Sequence, residues 1–167
     1  MATPSLTPAT VITGASSGIG EALARRLAAQ EKQTLVLVAR RQDKLAALAA
    51  ELKTAHGAHV ETIVLDLEVP GAAAQLLADV EARGLAIDTL INNAGFGLNN
   101  LFTDMPLDRI QGMMQLNMVT LTELCHAVLP NMRLRRQGRI MNIASVAAFQ
   151  ACPRFAVYGA TKAYVLM

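Results

Sequence analysis

Short apolar runs alternate with longer segments rich in alanine and leucine along most of this chain. The short runs are each largely apolar, which is typical of strands whose two faces are both buried. Strands that alternate with helices predict a parallel sheet covered by helices. The predicted strands are Thr10–Thr13, Leu35–Val38, Val60–Leu65, Ile87–Ile91 and Arg139–Ile143.

The segments between the strands place apolar residues at helical spacing. Right-handed crossovers then give a doubly wound sheet in a three-layer α/β/α arrangement, which binds ligands at the carboxyl ends of its strands. Pro130 is expected to kink or end part of the fourth helix. The predicted helices are Gly20–Gln30, Gln42–His56, Gly71–Ala82, Leu107–Arg135 and a last one that begins near Phe155 and runs to the end.

The chain of 167 residues is long enough for one domain, which we place at residues 10–167 after a short polar lead-in at residues 1–9. Charged residues make up 17%, aromatic residues 4%, and the net charge is +2. This composition does not suit a nucleic-acid-binding protein. No apolar stretch reaches the roughly 20 residues of a membrane span. We therefore expect a soluble protein with neither a membrane nor a nucleic-acid partner.

The cysteines and histidines do not form a metal-binding pattern. Cys125 and Cys152 are far apart, and the three histidines have no cysteine or carboxylate at ligand spacing. Two separate cysteines are also typical of the reduced cytoplasm. We expect a cytoplasmic protein with no metal site.

A glycine-rich turn follows the first predicted strand in the run Thr13-Gly-Ala-Ser-Ser-Gly-Ile-Gly20. Glycine allows a tight turn, close approach of the backbone to a pyrophosphate, and packing of helix on strand. Glu21 follows the last glycine, so the Lys-Ser/Thr pair of a P-loop is missing. The turn predicts a Rossmann-type dinucleotide site that includes Gly14, Ser16, Ser17, Gly18, Ile19 and Gly20.

Two arginines, Arg40 and Arg41, follow the second strand, where an NAD-binding domain would carry a carboxylate. Two solvated arginines at the start of a helix would interact slightly unfavourably with the helix dipole, which favours a functional role for them. We therefore predict that Arg40 accommodates a 2′-phosphate and that the cofactor is NADP(H).

Tyr158 and Lys162 lie four residues apart in the last predicted helix, so their side chains share a face. A nearby ammonium favours the phenolate and makes a phenol a better general acid or base at neutral pH. Alone, such a pair is more often a partly buried tyrosine beside an exposed lysine, because short motifs match by accident. Ser145, after the preceding strand, and the glycine turn upstream favour a catalytic group.

These motifs, in this order, resemble the short-chain dehydrogenase/reductase family. The resemblance adds Asp66-Leu67 after the third strand, Asn92-Asn-Ala-Gly95 after the fourth, and Asn117 in the long helix. It implies an oxidoreductase that reduces a small-molecule carbonyl or oxidises a secondary alcohol, commonly as a homodimer or homotetramer. It also implies further sequence beyond Met167 in relatives, so residues 10–167 are expected to lack the last strands.

The resemblance also implies a role for each matching residue. Tyr158 would be the general acid and base, Lys162 would hold the nicotinamide ribose, Ser145 would polarise the carbonyl, and Asn117 would hold a water. Asp66 and Leu67 would lie at the adenine, and Asn92, Asn93, Ala94 and Gly95 beside the two riboses. The alternative is a truncated, non-catalytic nucleotide-binding or interaction module, because the substrate-binding loop of relatives lies beyond Met167.

Overall fold

The computed structural model describes residues 6–30 and 34–167, and within them five parallel strands form one sheet in the order β3-β2-β1-β4-β5. The chain therefore reverses its direction of winding between β1 and β4. Side chains that follow these two strands meet at one place on the carboxyl edge. The strands are β1 (Thr7–Thr13), β2 (Thr34–Ala39), β3 (Val60–Val64), β4 (Leu85–Asn92) and β5 (Arg139–Asn142).

Helices connect the strands and cover both faces of the sheet, which confirms the predicted Rossmann-type fold. Two single 3₁₀ turns, Phe102–Asp104 and Val146–Ala148, precede α4 and α6. The helices are α1 (Gly18–Ala28), α2 (Gln42–His56), α3 (Ala72–Ala82), α4 (Leu107–Met114), α5 (Leu121–Arg135) and α6 (Ala156–Leu166).

Two apolar cores lie on opposite faces of the sheet because neighbouring residues of a strand point in opposite directions. On β1, Val11 packs with α3 and α5, whereas Ile12 packs with α1 and α2. On β2, Val36 and Leu37 divide in the same way. Since both faces are buried, these strands read in the sequence as continuous apolar runs.

Most element boundaries shift by one to three residues from the predicted ones, and two differences concern the N-terminal segment and the fourth helix. The predicted lead-in at residues 1–9 falls partly on residues 1–5, outside the described residues, and Thr7 already belongs to β1. The fourth predicted helix does not end at Pro130, which lies inside α5. Pro130 is on the exposed side, where water can bind the carbonyl that its missing N–H leaves free. The departure from α-helical geometry occurs earlier, in a π-helical segment at Gln115–Thr120 that joins α4 to α5.

The strand β5 forms one edge of the sheet, and most of it is exposed. Met141 on β5 is 47% exposed. In the part of the chain that the structure describes, no helix combines the length and the apolar character that crossing a bilayer requires.

Candidate functional site

A cleft of about 670 Å³ opens at the carboxyl ends of the strands and contains most of the predicted site residues. Gly18, Gly20 and Asn117 are absent from its lining. Arg41, Phe96 and Ile143 line it without having been predicted. The predicted residues that line the cleft are Gly14, Ser16, Ser17, Ile19, Arg40, Asp66, Leu67, Asn93, Ala94, Gly95, Ser145, Tyr158 and Lys162.

The glycine turn is packed against Asn93, which follows β4. Asn93 Nδ2 donates hydrogen bonds to Thr13 O at 2.9 Å and to Gly14 O at 3.2 Å. A Cβ on Gly20 would lie 2.5 Å from Asn93 Nδ2 and 2.6 Å from Gly14 O, and Gly14 has a φ of +67°. Glycine at these two positions therefore lets the turn, the helix start and the β4 loop meet.

Thr13, the last residue of β1, also binds the loop that follows β4. Its Oγ1 accepts the N–H groups of Asn93 and Ala94, each at 3.0 Å, and donates to Ile91 O at 3.3 Å. Thr13 is 2% exposed. Sequence reasoning did not assign it a role, although its place immediately before the glycine turn could have suggested one.

The N-terminus of α1 faces the cleft with an uncapped first turn. Ser17 occupies the N-cap position, and its side chain makes no capping hydrogen bond. A Cβ on Gly18 would meet no atom within 4 Å, so the space beside this turn is open. Free N–H groups at a helix N-terminus bind phosphate oxygens well.

The two arginines after β2 have different partners. Arg41 donates to Ser16 Oγ from both Nε and Nη2, at 3.2 Å and 3.0 Å, and to Ser16 O at 3.1 Å. Arg40 instead places Nη1 3.6 Å from Asp66 Oδ2 and 3.6 Å from Glu68 Oε2. Distances of 3.6 Å are too long for hydrogen bonds. Within the described residues Arg40 therefore keeps its N–H donors available to a ligand, whereas Arg41 fastens the glycine turn to α2.

Glu68 connects this rim of the cleft to α4. Glu68 Oε1 lies 2.8 Å from Arg109 Nη1, and the Glu68 side chain is 15% exposed. The guanidinium carbon of Arg109 lies 4.8 Å from the ring centroid of Phe96, which lines the cleft. Sequence reasoning missed this group because its members are separated by up to 41 residues.

Lys162 reaches the cleft from α6 as a buried cation. Its Nζ donates to Ile143 O at 2.6 Å, and the residue is 6% exposed. Burial lowers the pKa of Lys162 below its usual range, because the charged form loses hydration. No carboxylate among the described residues pairs with this ammonium, so its field acts on the neighbouring cleft.

Tyr158 and Ser145 line the same cleft as Lys162. Lys162 Nζ is 6.0 Å from the centroid of the Tyr158 ring, and the Phe155 ring lies 5.7 Å from the same centroid. A Cβ on Gly97 would lie 2.8 Å from the Tyr158 ring, so glycine allows the loop after β4 to pass over the phenol. Ser145 Oγ accepts the Ala147 N–H at 3.2 Å and still has its own hydrogen to donate.

Asn117 lies in the π-helical segment and is 1% exposed. Its Oδ1 accepts the Phe96 N–H at 3.2 Å, and its Nδ2 donates to Phe96 O at 3.0 Å and to Thr161 Oγ1 at 3.0 Å. A Cβ on Gly95 would lie 2.9 Å from Asn117 Oδ1 and 3.6 Å from Lys162 Nζ. Asn117 therefore joins the β4 loop to α6 directly behind the lysine.

Asn92, unlike Asn93, faces away from the cleft. Asn92 Nδ2 donates to Asn142 Oδ1 at 2.9 Å and to Cys125 Sγ at 3.2 Å. Burial raises the pKa of the Cys125 thiol, while hydrogen bonds with Asn142 and Asn92 oppose that rise. The side chain of Asn92 therefore joins β4 to β5 and α5, and a place for this residue beside a bound ribose stays a prediction.

The described residues fit a phosphorylated dinucleotide. The glycine turn brings its backbone to the floor of the cleft, the α1 N-terminus offers uncapped N–H groups, and Arg40 adds an available cation. At the other end, Ser145, Tyr158 and Lys162 bring three polar groups to one wall. This arrangement can hold an anion at one end and exchange a proton with a polar group at the other.

Comparison with known proteins agrees with this geometry. A family model described as short chain dehydrogenase matches residues 8–167. A ketoacyl reductase, HetN, from Nostoc sp. is 38% identical over 157 residues, which are 94% of this chain and 54% of the relative. A short-chain dehydrogenase from Sphingobium yanoikuyae, solved in complex with NADPH, is 41% identical with a TM-score of 0.87. That match covers 95% of this chain and 61% of the solved chain.

A second solved structure extends the comparison to a complex with both cofactor and substrate. L-Sorbose reductase from Gluconobacter frateurii, solved with NADPH and L-sorbose, is 34% identical with a TM-score of 0.87. The match covers 98% of this chain and 61% of the reductase. This chain thus spans between 54% and 61% of the length of the three relatives.

Proposed function

Because this chain belongs to the short-chain dehydrogenase family, we propose that the protein that carries it interconverts a carbonyl compound and its alcohol with NADP(H). The observation that carries the proposal is the single cleft shared by the glycine turn, Arg40 and the group of Ser145, Tyr158 and Lys162. The NADPH complexes of two solved relatives support the choice of cofactor. The bound nicotinamide would supply or accept the hydride.

At the nucleotide end of the cleft, different protein groups would bind the pyrophosphate and the 2′-phosphate. Ser16, Ser17 and the first N–H groups of α1 would hold the pyrophosphate, since they lie at the positive end of the helix dipole. Arg40 would take the 2′-phosphate, because its donors are not committed to hydrogen bonds among the described residues. Asp66 and Leu67 would lie at the adenine, on the same rim of the cleft.

The reacting end would be organised by Tyr158, Lys162 and Ser145. In the reducing direction Tyr158 would donate its hydroxyl proton to the carbonyl oxygen, and in the oxidising direction it would remove the alcohol proton. Lys162 would act beside the phenol, since its Nζ lies 6.0 Å from the centroid of the Tyr158 ring. The Ser145 hydroxyl would donate to the same carbonyl oxygen and hold it near Tyr158.

Asn93, Ala94, Gly95 and Asn117 would position these groups. The backbone N–H groups of Asn93 and Ala94 donate to Thr13 Oγ1, and Gly95 lies close to Asn117, where a Cβ would be 2.9 Å from Asn117 Oδ1. The hydrogen bonds of Asn117 to Phe96 hold the cleft wall beside Lys162, whose remaining N–H donors could bind a ribose hydroxyl or a water.

The proposal is tested with the purified full-length protein in two measurements. NADPH and NADH binding are followed by fluorescence titration, and carbonyl reduction is assayed for wild type and Tyr158→Phe. We expect a preference for NADPH, and a Tyr158→Phe variant that binds NADPH normally but reduces carbonyls about 10²- to 10⁴-fold more slowly. Ser16→Ala serves as the control, since it changes the nucleotide end and leaves the phenol intact.

Two results would contradict the proposal. Equal turnover by wild type and Tyr158→Phe would exclude the phenol as the proton donor. Nucleotide binding without turnover of any ketone, aldehyde or secondary alcohol would favour the alternative, a non-catalytic nucleotide-binding module.

A further inference from the structure

Four charged side chains form a chain of alternating sign from α4 to the rim of the cleft. Arg109 Nη1 lies 2.8 Å from Glu68 Oε1, and Arg40 Nη1 lies 3.6 Å from both Glu68 Oε2 and Asp66 Oδ2. Of these four residues, Arg40 and Asp66 line the cleft, while Arg109 and Glu68 stand behind them. Glu68 therefore lies between Arg109 and Arg40 and contacts both.

The Glu68 carboxylate is held in a specific place. Its side chain is 15% exposed, and Oε2 is buried without a hydrogen bond from any described residue. A Cβ on Gly112 of α4 would overlap Oε1, so the carboxylate lies against bare helix backbone. A largely buried carboxylate keeps its charge only when a cation compensates it. Arg109 supplies that compensation through the short, charge-assisted contact at Oε1.

We propose that Arg109 is a specificity-determining residue that sets the preference for a 2′-phosphorylated nucleotide without touching it. The inference rests on the proposed use of NADP(H) and extends it to a residue outside the cleft. Arg109 neutralises Glu68 and so leaves the charge of Arg40 available to the incoming phosphate. The two arginines and the two carboxylates together carry no net charge.

Removing the charge of Arg109 changes this balance. Glu68 then carries an uncompensated negative charge 3.6 Å from Arg40, where it attracts the guanidinium and repels a phosphate dianion. A nucleotide without the 2′-phosphate has no charge at this position and is affected much less. The expected signature is therefore a change in the ratio of the two affinities.

Arg109 also contacts Phe96, and loss of this second contact would affect nucleotide binding in a different way. Its guanidinium carbon lies 4.8 Å from the Phe96 ring centroid, and Phe96 belongs to the cleft wall after β4. Loss of this cation–π contact would disturb the wall for every nucleotide alike. The Phe96→Leu variant removes the aromatic ring, keeps all four charges, and is the matched control.

The experiment measures NADPH and NADH dissociation constants by fluorescence titration at low salt. It compares wild type, Arg109→Gln, Arg109→Lys, Phe96→Leu and the double variant Arg109→Gln/Glu68→Gln of the full-length protein. In Arg109→Gln we expect the preference for NADPH over NADH to fall about tenfold, the order expected for one uncompensated charge near a protein surface. Arg109→Lys and the double variant should restore most of the preference, and added salt should reduce the difference.

Each alternative outcome has a separate meaning. Wild-type protein that binds NADPH and NADH equally would overturn the proposed cofactor, and this inference with it. Wild-type preference that survives in Arg109→Gln, or that falls equally in Phe96→Leu, would overturn the inference alone. Failure of Glu68→Gln to restore the preference in the double variant would also overturn it, because the effect would then not pass through Glu68.

Discussion

The side chain of Asn117 forms two hydrogen bonds with the backbone of Phe96, one as acceptor and one as donor. Asn117 Oδ1 accepts the Phe96 N–H at 3.2 Å, and Asn117 Nδ2 donates to Phe96 O at 3.0 Å. Asn117 lies in the π-helical segment, where one wider turn changes the direction in which side chains leave the helix. The loop after β4 is therefore held by a side chain from the helix that crosses behind it.

Replacing Asn117 with alanine should destabilise the fold. The substitution leaves the N–H and the carbonyl of Phe96 without these partners, so we expect the free energy of unfolding to fall by about 2–3 kcal/mol. Chemical denaturation measures the change. The matched control is Asn99→Ala in the exposed part of the same loop, which should change stability by less than about 0.5 kcal/mol. Equal effects of the two substitutions would contradict this assignment.

Replacing Gly20 with alanine should damage both folding and nucleotide binding. The new methyl group would lie 2.5 Å from Asn93 Nδ2 and 2.6 Å from Gly14 O, so the turn or the β4 loop must move. We expect a loss of about 2–3 kcal/mol in unfolding free energy, together with weaker NADPH binding. Gly57→Ala is the control, because its φ of +63° is strained for alanine but the space around it is open. It should lose about 1–2 kcal/mol and bind NADPH normally.

Thr13→Val should destabilise the protein more than Thr13→Ser. Valine has nearly the shape of threonine, but it leaves the N–H groups of Asn93 and Ala94 without the Oγ1 that accepts them. We expect Thr13→Val to lower the free energy of unfolding by about 2–4 kcal/mol. Serine keeps the hydroxyl and removes only a methyl group, so a loss near 1 kcal/mol is expected. Equal losses in thermal or denaturant unfolding would show that the hydroxyl is unimportant.

The stability contributed by Lys162 should depend on pH. Burial lowers its pKa below the usual 10.5, so between the two pKa values the unfolded chain binds more protons than the folded one. The stability of wild type relative to Lys162→Met should therefore be highest above 10.5 and be lost as pH falls through the folded pKa of Lys162. Denaturant unfolding of both proteins over this range measures the difference. Lys53→Met, at an exposed site on α2, is the control, and a pH-independent difference for Lys162→Met would contradict the prediction.

Local features of the sequence were sufficient to predict the elements of the fold. The range predicted for α2, Gln42–His56, is the observed one, and all five predicted strands are present. Apolar periodicity and glycine positions report local backbone conformation, and that conformation depends on residues a few places apart. The one marked difference, the π-helical segment at Gln115–Thr120, has no comparable local signal.

The role of a residue could be predicted from the sequence where its partners are close to it in the chain. Gly14 and Ser16 could be placed because the turn that presents them is local. The hydrogen bonds of Arg41 to Ser16, and the different directions of Asn92 and Asn93, could not be predicted, since neighbouring residues at a strand end point in different directions.

By itself, the sequence determined the alternation of strands and helices, the position of the glycine turn and the spacing of Tyr158 and Lys162. Only the tertiary structure decided that β1 lies beside β4, that Asn117 binds Phe96, and that Glu68 joins Arg109 to the rim of the cleft. The physical reason is that backbone preferences act over a few residues. Contacts between side chains far apart in sequence form only when the packing of the two apolar cores has fixed the strand order.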